Sequence, residues 1–320
     1  MDKRAVIILF AMTLLGAGSP GAWPQGFPSR SVRIVTAEAG GALDFSGRVV
    51  AAGLTTALGQ QVIIDNRGGG GGSIAAETAA KAPADGYTLF FYSSTAWLLP
   101  IMRTVAYDPI RDFTTVILGL SAPNLVVVHP TLPVTSINEL IALARSKPGQ
   151  LNYASSGPGS SSNLAAELFK YLAKVDIVHV PYKGGGPAMN DLMANHVQLM
   201  IQSAPGVMPY VQSGRLRALA VTTAEPSKLI PGMPTVMESL PGYEATLIIG
   251  LYAPAKTPPS VVELLHSKAA QVLNQPEIRE QFFKSGQETI DITGADALNT
   301  IKAEIERMGK VIRAANIRAE

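Results

Sequence analysis

Residues 32–58 read VRIVTAEAGGALDFSGRVVAAGLTTAL, and the order of residue types along that stretch decides the fold. Val32, Ile34 and Val35 form a short β-branched run that reads as a strand. Ala39-Gly40-Gly41-Ala42 is a turn, and a helix follows from about Leu43 to Leu58. The order then repeats. Residues 61–64 read as a strand running into Asn66-Arg67 and five glycines, 68–72; Ser73 can cap a helix over 74–81. Pro83-Ala84-Asp85-Gly86 is a turn, and 87–92 is a strand of aromatic and β-branched residues. A β-α-β-α-β order places helices on the faces of a parallel sheet.

A second round opens near 125–129. Ser136 and Glu139 form a capping box for a helix that closes at Lys147-Pro148-Gly149. Strands at 151–154, 177–180, 197–201 and 216–222 alternate with helices, one over 164–172, one opened by Pro187 and one ending at Gly214. The remainder holds a strand at 246–252 and three helices, the first capped by Ser260, the second opened by Pro276 and the last over 296–315. Two α/β lobes are the expected product, each a mostly parallel sheet flanked by helices.

The 320 residues are 47% hydrophobic and 16% charged, enough for two lobes of roughly 100–200 residues with apolar cores. Scattered Lys and Arg and few aromatics exclude a nucleic-acid footprint. Asp2-Lys3-Arg4, the apolar run 5–15 and the small residues after it form a leader, expected at 1–22 with cleavage after Ala22 and Ala17 as the alternative. The run falls short of the roughly 20 apolar residues a bilayer requires. One acid and two bases leave with the leader, so the net charge of +2 becomes +1. Cysteine is absent, which excludes a lipid anchor at cysteine, a disulfide, a thiolate nucleophile and a sulfur-held zinc. A soluble periplasmic monomer is the expectation.

Enzyme signals are scarce. His129, His179, His196 and His266 hold no i,i+4 pair, and the motifs of zinc proteases, P-loops and serine hydrolases are missing. Binding signals are richer. Glycines at Ala39-Gly40-Gly41-Ala42 let backbone N–H groups approach a guest, and the following helix start adds partial positive charge, a receptor for an anion; a tight turn without ligand is the rival explanation. Asp44 is read as structural, complementing the helix start and meeting Arg48 four residues on. The turn from Ser155, Ser156 and Gly157 to Ser160 and Ser161 repeats the arrangement in the second lobe with added hydroxyls. Ser93, Ser94 and Thr95 end one strand, and Gln202 and Ser203 another, where open α/β sheets collect ligands. The glycine run 68–72 lacks dinucleotide spacing and reads as a mobile or closely packed loop. No cofactor or metal is implied.

Ordered motifs along the chain then resemble one family. They are Phe27-Pro28-Ser29-Arg30, Ala39-Gly40-Gly41 with Asp44 and Arg48, Ala82-Pro83-Ala84-Asp85-Gly86-Tyr87-Thr88-Leu89 and Tyr107-Asp108-Pro109. Further on stand 147–157 (KPGQLNYASSG), Val180-Pro181-Tyr182-Lys183-Gly184, Gly214-Arg215-Leu216-Arg217-Ala218 and Ala253-Pro254-Ala255-Lys256-Thr257-Pro258. The chain resembles the Bug family, extracytoplasmic solute receptors of tripartite tricarboxylate transporters. The resemblance implies a type II periplasmic binding fold with 27–124 plus 225–320 as lobe 1 and 125–224 as lobe 2. It further implies a small organic carboxylate in the cleft, contacted by 39–42, 93–95, 155–161 and 202–203, and membrane permease subunits as partners. The chain departs from the family's pattern at Ala37, Glu38, Asn163, Gln198 and Ile248. A secreted enzyme using His179 or Glu38, and a ligand-sensing module, are the alternatives.

Overall fold

The computed structural model describes residues 26–36, 39 and 42–319, with only the backbone of Ala42; the expected leader at 1–22 lies outside them. Eleven strands are described: β1 Val32–Thr36, β2 Val62–Asn66, β3 Thr88–Ser93, β4 Phe113–Ala122, β5 Asn124–Val128, β6 Asn152–Ser155, β7 Val178–Pro181, β8 Leu199–Ser203, β9 Arg217–Val221, β10 Leu247–Pro254 and β11 Glu288–Ile292. They form two sheets, ordered β11-β4-β10-β3-β1-β2 and β7-β6-β8-β5-β9.

Both sheets are mixed, a correction to the mostly parallel sheets expected. β1 pairs parallel with β2 and β3, and β6 with β7 and β8. β4, β5 and β10 run antiparallel to their neighbours. The cause is the crossing between lobes. β4 leads into β5 through Pro123, and the chain returns from β9 to β10, so outgoing and returning strands lie side by side.

The return comes later than residue 225, where sequence placed it. Thr235 bridges Val221 of β9. Val236, Leu240 and Tyr243 are buried with Leu140 and Tyr153 of the second lobe, and the Tyr243 hydroxyl donates to Ala165 O at 3.0 Å. These apolar side chains stay with the second sheet because burial there removes them from water. Helix Gly294–Ala314 straddles both lobes: Ala297 and Ile301 pack with Leu118 and Tyr252, whereas Met308, Val311 and Ile312 join the second core.

Helix Thr95–Met102 contains Pro100, which hid it from sequence, since proline removes an internal hydrogen bond. Leu98, Leu99 and Met102 nevertheless pack into the core beneath the second sheet. Among the described residues no helix is long and apolar enough to cross a membrane.

Candidate functional site

β1, β2 and β3 share one direction, as do β6, β7 and β8, so each trio delivers its C-terminal ends to one side. The innermost strand of each trio, β3 in one lobe and β8 in the other, ends at the hinge. Ser203, the last residue of β8, pairs with Asn124, where β5 begins, and Ser94 N donates to Ile248 O of β10 at 2.7 Å.

In the second lobe the turn after β6 is held largely by its own side chains. Ser155 is fully buried; its hydroxyl lies 2.6 Å from His179 Nε2 and accepts from Gly157 N at 3.1 Å. Ser160 caps helix Ser161–Ala173, accepting from Asn163 N and donating to Gly157 O at 2.6 Å. Gly159 N donates to Asn163 Oδ1, and Ser156 N to Ser162 Oγ. Ser155 and Ser160 therefore shape the turn. The Ser156 hydroxyl lies 3.5 Å from Ser162 Oγ, and Ser161 lines a cavity shared with the first lobe.

A buried polar chain stands behind this turn. Asn163 Nδ2 donates to the Tyr153 hydroxyl at 2.7 Å, which donates to Glu167 Oε1 at 2.6 Å, itself paired with Lys170 at 2.8 Å. The His179 ring stacks on Tyr153 with centroids 4.7 Å apart. Burial pushes the imidazole below its ordinary range, and burial, with Glu167 beside it, pushes the Tyr153 hydroxyl up.

Sequence reasoning missed the third turn, Gly184-Gly185-Gly186 after β7. Gly184 N donates to Ser156 O at 3.2 Å, joining it to the serine turn. A Cβ on Gly185 would lie 2.9 Å from Gln202 Nε2 and 3.4 Å from Ser156 Oγ, so Ser156, Gly185 and Gln202 converge. The signal was a Gly-Gly-Gly-Pro run after a strand, the same pattern as 39–42. Helices Gly185–Met193 and Ala204–Gln212, like Thr95–Met102, start without a side-chain cap, which leaves the partial positive charge of each start for a guest.

In the first lobe Ala39 is an exposed turn residue and Ala42 opens helix Ala42–Leu58, while Ala37, Glu38, Gly40 and Gly41 lie outside the described residues. Asp44 is buried; it accepts from Arg48 Nε at 3.0 Å and from Asn66 Nδ2 at 2.8 Å, tying the helix start to the end of β2. Ser93 Oγ lies 2.8 Å from Thr95 Oγ1. Ser94 and Thr95 meet Ser161 of the second lobe across a cavity of about 30 Å³ that Asn124 and Glu304 also line. Gln198 is remote from these turns, accepting from Asn152 N at the opposite end of β6.

Residues 47–317 match the family model described as "Tripartite tricarboxylate transporter family receptor". The chain belongs to this family. Protein BugT of Bordetella pertussis is 34% identical over 292 residues, covering 90% of each chain. R. palustris Rpa4515, solved with adipate, superimposes with a TM-score of 0.82 at 38% identity, covering 91% of this chain and 99% of its own. MatC from Rhodopseudomonas palustris, solved with malate, gives 0.79 at 30% identity over 89% of this chain and 100% of its own. The tricarboxylate-family receptor fold thus extends over both lobes, and the chain is a solute-binding receptor, not an enzyme.

Proposed function

We propose that this receptor closes its lobes around a small organic carboxylate and presents it to the membrane permease subunits of a tripartite importer, as a free periplasmic monomer. The observation that carries the reading is the convergence of Ser156, Gly185 and Gln202 at three strand-to-helix turns, beside the uncapped start of the helix after β8. Neutral donors and helix starts bind a carboxylate in its ionised form without moving a proton. Rpa4515 was solved with adipate and MatC with malate, which supports a carboxylate of this kind.

The ligand lies between these turns and the first-lobe residues Ser94, Thr95 and 39–42. The lobes hinge at the two crossings, near Pro123 and between Ala245 and Leu247. Closure expels water, and each donor facing the anion then counts for more.

Calorimetric titration with adipate, malate, citrate, a monocarboxylate and the diamide of adipate tests this. Binding of at least one acid with no binding of the diamide is the expected result; equal binding of acid and diamide, or none of any acid, contradicts the reading.

A further inference from the structure

Close to the hinge the two lobes touch, the bare backbone of a glycine on one side against a proline ring on the other. Gly286, in the turn between helix Pro276–Lys284 and β11, lies against Pro205 in the first turn of helix Ala204–Gln212. A Cβ on Gly286 would stand 3.0 Å from Pro205 Cδ and 3.1 Å from its Cγ and N.

Each side of this contact is firmly anchored. On the first-lobe side, Gly286 N and Gln287 N donate to Phe283 O and Phe282 O, both at 2.9 Å. Phe282 is fully buried, and the buried Gln287 accepts from Ser46 Oγ at 2.9 Å. On the second-lobe side, Ala204 N donates to Pro123 O of the hinge at 2.9 Å. Proline has no N–H and glycine no side chain, so the ring and the glycine backbone meet in van der Waals contact.

We propose that the Gly286–Pro205 contact is the stop that sets how far the lobes close, and with it the length of carboxylate the receptor prefers. The proposal rests on the receptor reading above. Packed protein surfaces yield little on compression, so the approach ends where the Gly286 backbone meets the Pro205 ring. Because the contact sits beside the hinge, a shift of a few tenths of an ångström there is multiplied at the cleft lips. Pro205 also adjoins Gly206 and Gln202 (a Cβ on Gly206 would lie 3.4 Å from Gln202 Cγ). The stop therefore fixes the distance between second-lobe donors and the first lobe, which is the span a ligand must bridge.

Two opposed variants and a control test it. Gly286→Ala adds a methyl at the contact, and Pro205→Ala removes the ring. Gly214→Ala is the control: like Gly286 (φ +76°) it has a left-handed backbone (φ +71°) after a helix, but nothing lies within 4 Å of its Cβ position. The chain has no cysteine, so nitroxides at Arg67→Cys and Lys183→Cys, near the ends of β2 and β7, report the lip separation by pulsed electron resonance.

Gly286→Ala should lengthen that separation relative to Gly214→Ala and shift the adipate-to-malate affinity ratio toward adipate by about fivefold or more. Pro205→Ala should shift both the other way. A label separation in Gly286→Ala equal to the control's overturns the proposal whatever the affinities do. Failure of the parent protein to bind either acid would count against the receptor reading, while the label separation still decides the stop.

Discussion

The Tyr107 hydroxyl donates to the carbonyl of Ala96 at 2.7 Å, and Ala96 O is the acceptor that Pro100, four residues on and lacking an N–H, leaves open. The tyrosine completes a proline-interrupted helix from outside it. That helix begins at Thr95, beside Ser94, so its integrity bears on the first-lobe half of the site.

Tyr107→Phe removes the donor and strands a buried carbonyl. The expected loss is about 1–3 kcal/mol of unfolding free energy, read from urea melts. A loss below about 0.5 kcal/mol would mean that water satisfies Ala96 O without cost.

Gly185→Ala places a methyl where Ser156 and Gln202 converge. Alanine suits a helix better than glycine, so stability should hold or rise while carboxylate affinity falls about tenfold or more. Undiminished affinity would place the anion elsewhere.

Asp44→Ala breaks the hydrogen bonds from Arg48 and Asn66 that tie the first helix to β2. Sequence alone suggested a helix-start interaction and a pair with Arg48, worth a few tenths to about 1 kcal/mol. With Asp44 buried, the expected loss is about 1.5–3 kcal/mol, measured by chemical denaturation.

His179 supplies a pH dependence. Burial holds its folded pKa below the ordinary 6.5, so between those two values the unfolded chain binds the extra proton. Stability is then level above the unfolded pKa and declines as pH falls from 6.5 toward the folded pKa. Denaturation at pH 7.5 and 5.5 should show this decline, reduced in His179→Gln. An identical decline in that variant would assign the proton to another group.

Much of this was legible because local pattern and tertiary structure agree. The β-branched run 32–35, the glycine turn and the helix behind it gave the α/β architecture, and the serine turn follows β6 where expected. The rest depends on partners distant in sequence. Which hydroxyls of the serine turn remain for a ligand is decided by His179, brought alongside by β7, and by Asn163 one helical turn on. The return to the first lobe was expected at 225 and comes later because residues 230–243 bear no signal of which sheet will bury them. Strand β4 was readable from Thr114, Thr115, Val116 and Ile117, and Gly184-Gly185-Gly186 from its likeness to 39–42.

The central claim is that one carboxylate is held from both lobes at the strand-end turns. A crystal structure with the tightest-binding acid of the titration panel tests it most directly. The account predicts a carboxylate within hydrogen-bond reach of Gly185, Gln202 or Ser156 on one side and of Ser94, Thr95 or 39–42 on the other. A carboxylate touching only one lobe would contradict it. So would one lodged in the hinge groove of about 790 Å³ lined by Lys228 and Arg279.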